Sequence, residues 1–291
     1  MLEGGSGALL DAIRGVHWPS RRMTRGAFQG GHRSRRVGAS PEFMEYRPYQ
    51  QGDDPSRIDW KLFARTERVA VRLSHDDSSL RTMVLLDASA SMAFPAGTRA
   101  KWELATAVAL GLAAVAHGDN DPVGIVISGS PPRRLPPRNR HGAVADLLRL
   151  LTAAEPEGNA PLAPLLATLR QTRRVAIISD FLGDAPAVLA VAREMLAAGA
   201  EIAAVHVVDV LELDPAPAAR VVTDPEDPAL RRPLGPGQLE RYRENFARWR
   251  SGLSDEWRAA GAVYSMATTD SAPDRVVRRV VEAGLSPAAP R

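Results

Sequence analysis

Cysteine is absent from the 291 residues. That removes disulfides, thiolate zinc sites, iron–sulfur clusters and cysteine nucleophiles together, and it agrees with the reducing cytoplasm as the compartment. No run approaches the roughly 18 consecutive apolar residues that span a bilayer, and Met1 to Arg14 lacks the charged-then-apolar layout of an export signal. The expectation is a soluble, cytoplasmic chain with no membrane span. Neither Gly-x-x-x-x-Gly-Lys nor Gly-x-Gly-x-x-Gly occurs, so nucleotide hydrolysis by this chain is not expected. The six histidines form no His-Glu-x-x-His pair or other zinc spacing.

What is present is enough for a full core. With 45% apolar and 24% charged residues, a chain of this length hides about three-quarters of its unfolded surface. The formal charge of +3 is small, but it is unevenly spread. Residues 1–40 hold seven arginines (Arg14, Arg21, Arg22, Arg25, Arg33, Arg35 and Arg36) against Glu3 and Asp11, a local excess of +5. This stretch reads either as a flexible, solvated basic arm or as an electrostatic footprint for an acidic partner. Nucleic acid is the weaker choice of partner, because only Trp18 and Phe28 offer a stacking surface nearby.

From residue 80 onward, short apolar runs alternate with helical patterns, which predicts βαβ units and a mostly parallel sheet with helices on both faces. Thr82 to Leu86, Pro122 to Ser128, Val175 to Ser179, Ile202 to Val208 and Val263 to Thr268 read as strands. Lys101 to His117, Ala143 to Ala154, Leu162 to Gln171, Pro186 to Ala198, Gln238 to Ala260 and Asp274 to Ala283 read as helices. Gly118 is placed to stop the first of these in the left-handed conformation. The proline-rich Ser130 to Pro137 belongs at an edge or in a turn. Residues 209–237 form a surface excursion with one short strand near Arg220 to Thr223.

Asp87-Ala88-Ser89-Ala90-Ser91 follows the first strong strand and precedes a helix, and Asp180 ends a neighbouring strand in the same way. Ligands of open parallel sheets collect at such strand ends. A carboxylate with hydroxyls two and four residues on supplies hard oxygen donors for a divalent cation. The same residue types also close turns and cap helices, and pattern alone leaves both readings open. A hydrolase is disfavoured because no Gly-x-Ser-x-Gly surrounds Ser89 or Ser91.

Residues 41–78 differ in character, dense in aromatic, charged and turn residues: Arg47, Tyr49, Gly52, Asp53, Asp54, Arg57, Asp59, Trp60 and Arg65. Arginine–carboxylate pairs holding this segment on the main domain (79–286) are one reading, and a partner-binding surface is the other.

Asp87-x-Ser89-x-Ser91 resembles the metal-ion-dependent adhesion site (MIDAS) of von Willebrand factor type A domains. The upstream Glu42-Phe43, Arg47-x-Tyr49, Gly52-Asp53-Asp54 and Arg57-Ile58-Asp59-Trp60 run, with Ala64-Arg65, resembles the bacterial proteins grouped as domain of unknown function 58. The resemblance covers roughly residues 30–270. It implies a Rossmann-like sheet bearing Mg2+ (or Mn2+ or Ca2+) at its top, held by Asp87, Ser89, Ser91 and Asp180 and completed by a carboxylate from a partner protein. Where such domains carry Gly-x-Thr-x-Leu, this chain reads Gly158-Asn159-Ala160-Pro161-Leu162, so Ala160 leaves out one hydroxyl ligand and water or Asn159 must substitute. The resemblance also implies a non-catalytic adaptor that works with a MoxR-type AAA+ ATPase on an unidentified client, in protein maturation or stress responses. The alternatives are a metal-independent scaffold, a hydrolase, or a nucleic-acid binder acting through the arginine arm.

Overall fold

The computed structural model describes residues 2–20, 45–49, 58–73, 80–159, 161–215, 221–223, 231–233 and 237–284. The chain forms two units, Phe28–Leu80 and the remainder. In the smaller unit Glu45–Pro48 pairs antiparallel with Ala70–Leu73, and Trp60–Thr66 is a short helix. Asp59 opens that helix by accepting the Leu62 amide on Oδ1 at 3.0 Å, the usual use of an aspartate at a helix start.

The larger unit opens with α1 (Leu2–Ala12) and continues as β1 (Thr82–Leu86), α2 (Ala100–Gly118), β2 (Val123–Ile127), β3 (Arg133–Arg138), α3 (Ala143–Thr152) and α4 (Leu162–Ala167). Then come β4 (Arg174–Ser179), α5 (Ala185–Ala197), β5 (Glu201–Val208), α6 (Val210–Leu213), α7 (Gln238–Ala259), β6 (Val263–Thr268) and α8 (Pro273–Ala283). Among the described residues the main sheet runs β6-β5-β4-β1-β2-β3. All its neighbours are parallel except β3, which returns antiparallel along β2. The prolines of β3 are tolerated because it is the edge strand, as the sequence suggests.

Side chains alternate across this sheet. Val84, Leu86, Ile125, Ile127, Ala176, Ile178, Val205 and Val207 pack with α1, α2, α3 and α8 on one face. Met83, Leu85, Val126, Val175, Ile177, Ile202 and Ala204 pack with α4, α5 and α7 on the other. Each fully buried Leu, Ile or Val contributes about 1.5–3 kcal/mol, so both faces are needed to offset the ordering of the chain. At Gly111 a Cβ would stand 2.6 Å from Val277 Cγ2. The missing side chain therefore lets α2 and α8 approach closely, which offsets the roughly 1 kcal/mol that glycine costs inside a helix.

Two expectations are corrected here. The first twenty residues are not an arm: α1 and the turn after it bury Leu9, Ile13 and Trp18 in the core. Leu9, Ile13 and Val16 recur at helical spacing on one face, and Arg14 is the one arginine among these twenty residues. Arg21 to Arg36 lie outside the described residues. The other correction concerns Gly118, which stays inside α2. The left-handed residue is Asn120 (φ 67°), the residue type that most readily replaces glycine there.

Candidate functional site

β1 is where the sheet changes direction. The chain moves to one side through β2 and β3 and then crosses back to place β4 on the other flank of β1. The crevice of an open α/β sheet lies at such a reversal. Leu86 stands opposite Ile178 in the register, so Asp87 and Asp180 leave adjacent strands at the same end of the sheet.

Asp87 is buried. Its Oδ1 accepts the Ser89 amide at 2.9 Å and its Oδ2 accepts the Ser179 hydroxyl at 2.6 Å. Ser128 Oγ lies 3.5 Å from Oδ1 and itself accepts the Ala88 amide at 2.7 Å. Ser89 Oγ and Ser91 Oγ stand 3.0 Å apart, Ser91 on a 3₁₀ turn over Ala90–Ala93. Among the described residues no cationic side chain bonds to Asp87. Burial, and after it the charge of Asp180, push its carboxyl above the usual range, with the hydrogen bonds from Ser179 and Ser89 opposing.

Asp180 has a different environment. Its Oδ2 accepts Lys101 Nζ at 2.6 Å, and the same ammonium donates to Glu212 Oε1 at 2.9 Å. The Lys101 side chain is 0% exposed. Burial pulls its pKa down, but the two carboxylates outweigh burial and the net direction is up. Glu212 is raised by burial, with Lys101 opposing. Glu212 reaches the site from α6, where it forms a capping box with Asp209, so the excursion after residue 209 contributes directly to the site.

A recess of about 680 Å³ opens beside Asp87 and is lined by Ser89, Asn159, Ser179, Phe181 and Asp184 among others. Of the sequence-predicted set, Asp87 and Ser89 line it, Ser91 is buried within hydrogen-bond distance of Ser89, and the Asp180 carboxylate is engaged with Lys101. Among the described residues no three His, Cys, Asp or Glu side chains converge on one point. Ala160 lies outside the described residues, and Asn159 reaches the recess. Sequence reasoning missed Ser128, Ser179, Asp184, Lys101 and Glu212. A single lysine at the start of the alanine- and leucine-rich α2 was an available signal.

The other predicted residues belong to the smaller unit. Tyr49 and Trp60 are exposed, Trp60 (61%) making an edge contact with Phe63 at 6.1 Å. Arg65 lies in the last turn of the helix begun by Asp59. The Arg47 backbone pairs opposite Val71. Gly52, Asp53, Asp54 and Arg57 lie outside the described residues.

Beneath the site, His206 Nδ1 meets the Tyr264 hydroxyl at 2.6 Å, between the rings of Phe181 and Trp249. Burial lowers the His206 pKa from 6.5 to about 3. The unfolded chain takes up this proton below 6.5 and the folded chain does not, so stability is lost as pH falls through that window. Between pH 7 and pH 5 the histidine should cost about 2 kcal/mol. Urea unfolding at the two pH values is expected to show His206→Phe losing less stability than wild type by that amount. Equal losses in the two proteins would contradict it.

A protein-family model described as "Protein of unknown function DUF58" matches residues 45–249. The chain belongs to the DUF58 family. It is 29% identical over 273 residues to the uncharacterized protein Rv1480 of Mycobacterium tuberculosis, covering 90% of this chain and 85% of that relative. Among solved structures it is similar to the conserved hypothetical protein BatB from Bacteroides thetaiotaomicron, at 15% identity and a TM-score of 0.42, covering 72% of this chain and all of that one. It is also similar to the SpRpn10 VWA domain, at 15% identity and a TM-score of 0.39, with the same coverage. Among the described residues of this DUF58 chain, no helix is long and apolar enough to cross a membrane.

Proposed function

We propose that this DUF58 protein is a non-catalytic interaction module that holds a divalent cation through Asp87, Ser89 and Ser91 and presents it to a carboxylate of a protein partner. The observation that carries the reading is Asp87 itself. Among the described residues its buried carboxylate is bonded only to hydroxyl and amide donors, so no cation offsets its negative charge, which is expensive away from water and is why its pKa is raised; it adjoins two hydroxyl oxygens and an open recess, where a divalent ion would supply the missing charge.

The donor set of one carboxylate and two hydroxyls fits a hard ion of the Mg2+ or Mn2+ type, which retains several waters. When bound, such an ion supplies open coordination positions that a partner's carboxylate can fill. The residues of the chain prepare for it: Ser179 and the Ser89 amide fix the Asp87 carboxylate, and Ser128 anchors the loop through Ala88. Asp180 shares its charge with Lys101, and Asn159, which lines the same recess, offers a further oxygen donor. Ser89 and Ser91 share a hydrogen bond, and among the described residues neither has a histidine or lysine partner that could activate it, which speaks against a serine nucleophile. By family resemblance the partners are a MoxR-type AAA+ ATPase in the cytoplasm and an unidentified client protein.

Titration calorimetry with Mn2+ tests the reading. Wild type is expected to give a saturable heat that Asp87→Ala abolishes, whereas identical isotherms in the two proteins would remove the ion from the mechanism.

A further inference from the structure

We infer that Lys101 is an internal counter-cation that sets how tightly this site takes a divalent ion, with Glu212 adjusting it from the far side. The inference rests on the cation reading above and adds to it two residues that do not touch the ion.

An ammonium at this position is disfavoured on three counts. It is fully buried, it stands in the first turn of α2 where the helix dipole repels positive charge, and its long side chain is immobilised. It persists because Asp180 and Glu212 hold it from two sides, at 2.6 and 2.9 Å.

The order of the groups is what matters. Asp87 is bonded to Ser179, the residue before Asp180; Asp180 is bonded to Lys101; and Lys101 is bonded to Glu212. Charges therefore alternate only at the far end, and the two adjacent carboxylates, Asp87 and Asp180, repel each other. Three carboxylates against one ammonium leave a formal charge of −2, which one divalent ion brings to zero. The carboxylates do not converge on a common point, so the ion meets Asp87 with its serines, and Lys101 acts on it through space.

The consequences have opposite signs. Removing the ammonium leaves the cluster at −3, which strengthens attraction for the cation. Neutralising Glu212 frees more of the Lys101 charge to oppose it. By Coulomb's law a unit charge about 6 Å from a divalent ion changes its affinity by about tenfold even at the dielectric of bulk water, and one about 12 Å away by about threefold.

Mn2+ affinity is measured by calorimetry in the folded full-length protein, wild type beside Lys101→Met, Glu212→Gln and Asp87→Ala. The inference predicts about tenfold tighter binding in Lys101→Met and about threefold weaker binding in Glu212→Gln. Opposite shifts cannot arise from general loosening, which would weaken both. Should Lys101→Met not fold, Lys101→Gln takes its place: it keeps amide donors for Asp180 and Glu212 but carries no charge, and it too is expected to bind Mn2+ more tightly, the direction that loosening cannot produce. If both variants match wild type while Asp87→Ala loses binding, the role of Lys101 is overturned and the cation site stands. If Asp87→Ala binds as wild type does, the cation reading fails and this inference fails with it.

Discussion

Lys101→Ala is expected to lose about 3–5 kcal/mol of unfolding free energy at neutral pH. The substitution withdraws the one ammonium that Asp180 and Glu212 share, and both carboxylates stay in a protein interior that cannot hydrate them. Breaking a buried ion pair by removing one partner is far costlier than never having built it. The defect has a pH signature with a definite sign. Burial already raises the Glu212 carboxyl against the pull of Lys101, and without that cation it titrates higher still in the folded protein than in the unfolded one, so the deficit is greatest at pH 7 and shrinks as acid protonates it. Replacing all three members together, as Lys101→Met, Asp180→Asn and Glu212→Gln, is expected to recover most of the loss, because the uncompensated charge is then gone. Urea unfolding in the presence of a chelator measures each quantity. A deficit under about 1 kcal/mol in Lys101→Ala would mean that water replaces the ammonium and that the cluster is more open than its burial implies.

The same cluster shows how far the sequence can be read. Thr82 to Leu86 and Val175 to Ser179 are legible as strands because parallel strands covered on both faces are apolar throughout. Asp87 and Asp180 are legible as candidates because each ends such a strand, and the topology makes those strands neighbours. Their divergence is not legible. Asp87 and Asp180 look equivalent in sequence, yet one is left without a cation and the other is neutralised by a lysine 79 positions away, itself held by a glutamate a further 111 positions along from that lysine. Contacts at such separations leave no local pattern. Residue type still carried a hint, since a lysine at the start of a helix whose other residues are mostly alanine and leucine needs a partner if that helix is buried. Ser179 was closer to view, adjoining Asp180 at the end of a strand that points into the crevice.

The amino terminus failed for a different reason. Counting charge over residues 1–40 averages two unlike stretches, an apolar helical one and an arginine-rich one, and the average describes neither. Hydrophobic spacing is the more local signal: Leu9, Ile13 and Val16 fall on one helical face whatever follows at Arg21.

Trp18→Ala therefore separates the two descriptions sharply, with an expected cost of about 3–5 kcal/mol, the range for deleting a buried tryptophan side chain. Trp18 is 5% exposed and its ring lies 4.6 Å from the Arg174 guanidinium carbon. Its backbone amide is tied to Asp119 Oδ2. Arg174 is itself buried and bonds Asp121 and Glu201 at 3.1 and 3.2 Å, so the ring covers an ionic cluster as well as filling space. Removing it opens a cavity, forfeits a desolvated cation–π contact of about 2 kcal/mol, and admits water to the guanidinium, which returns part of the loss. Trp18→Phe retains a ring in the same place and is expected to cost less than half as much. Thermal unfolding of the two variants gives the comparison. An unchanged midpoint in Trp18→Ala would restore the solvated arm and detach the first twenty residues from the fold, whereas a large drop in Trp18→Ala and a small one in Trp18→Phe makes them part of the core.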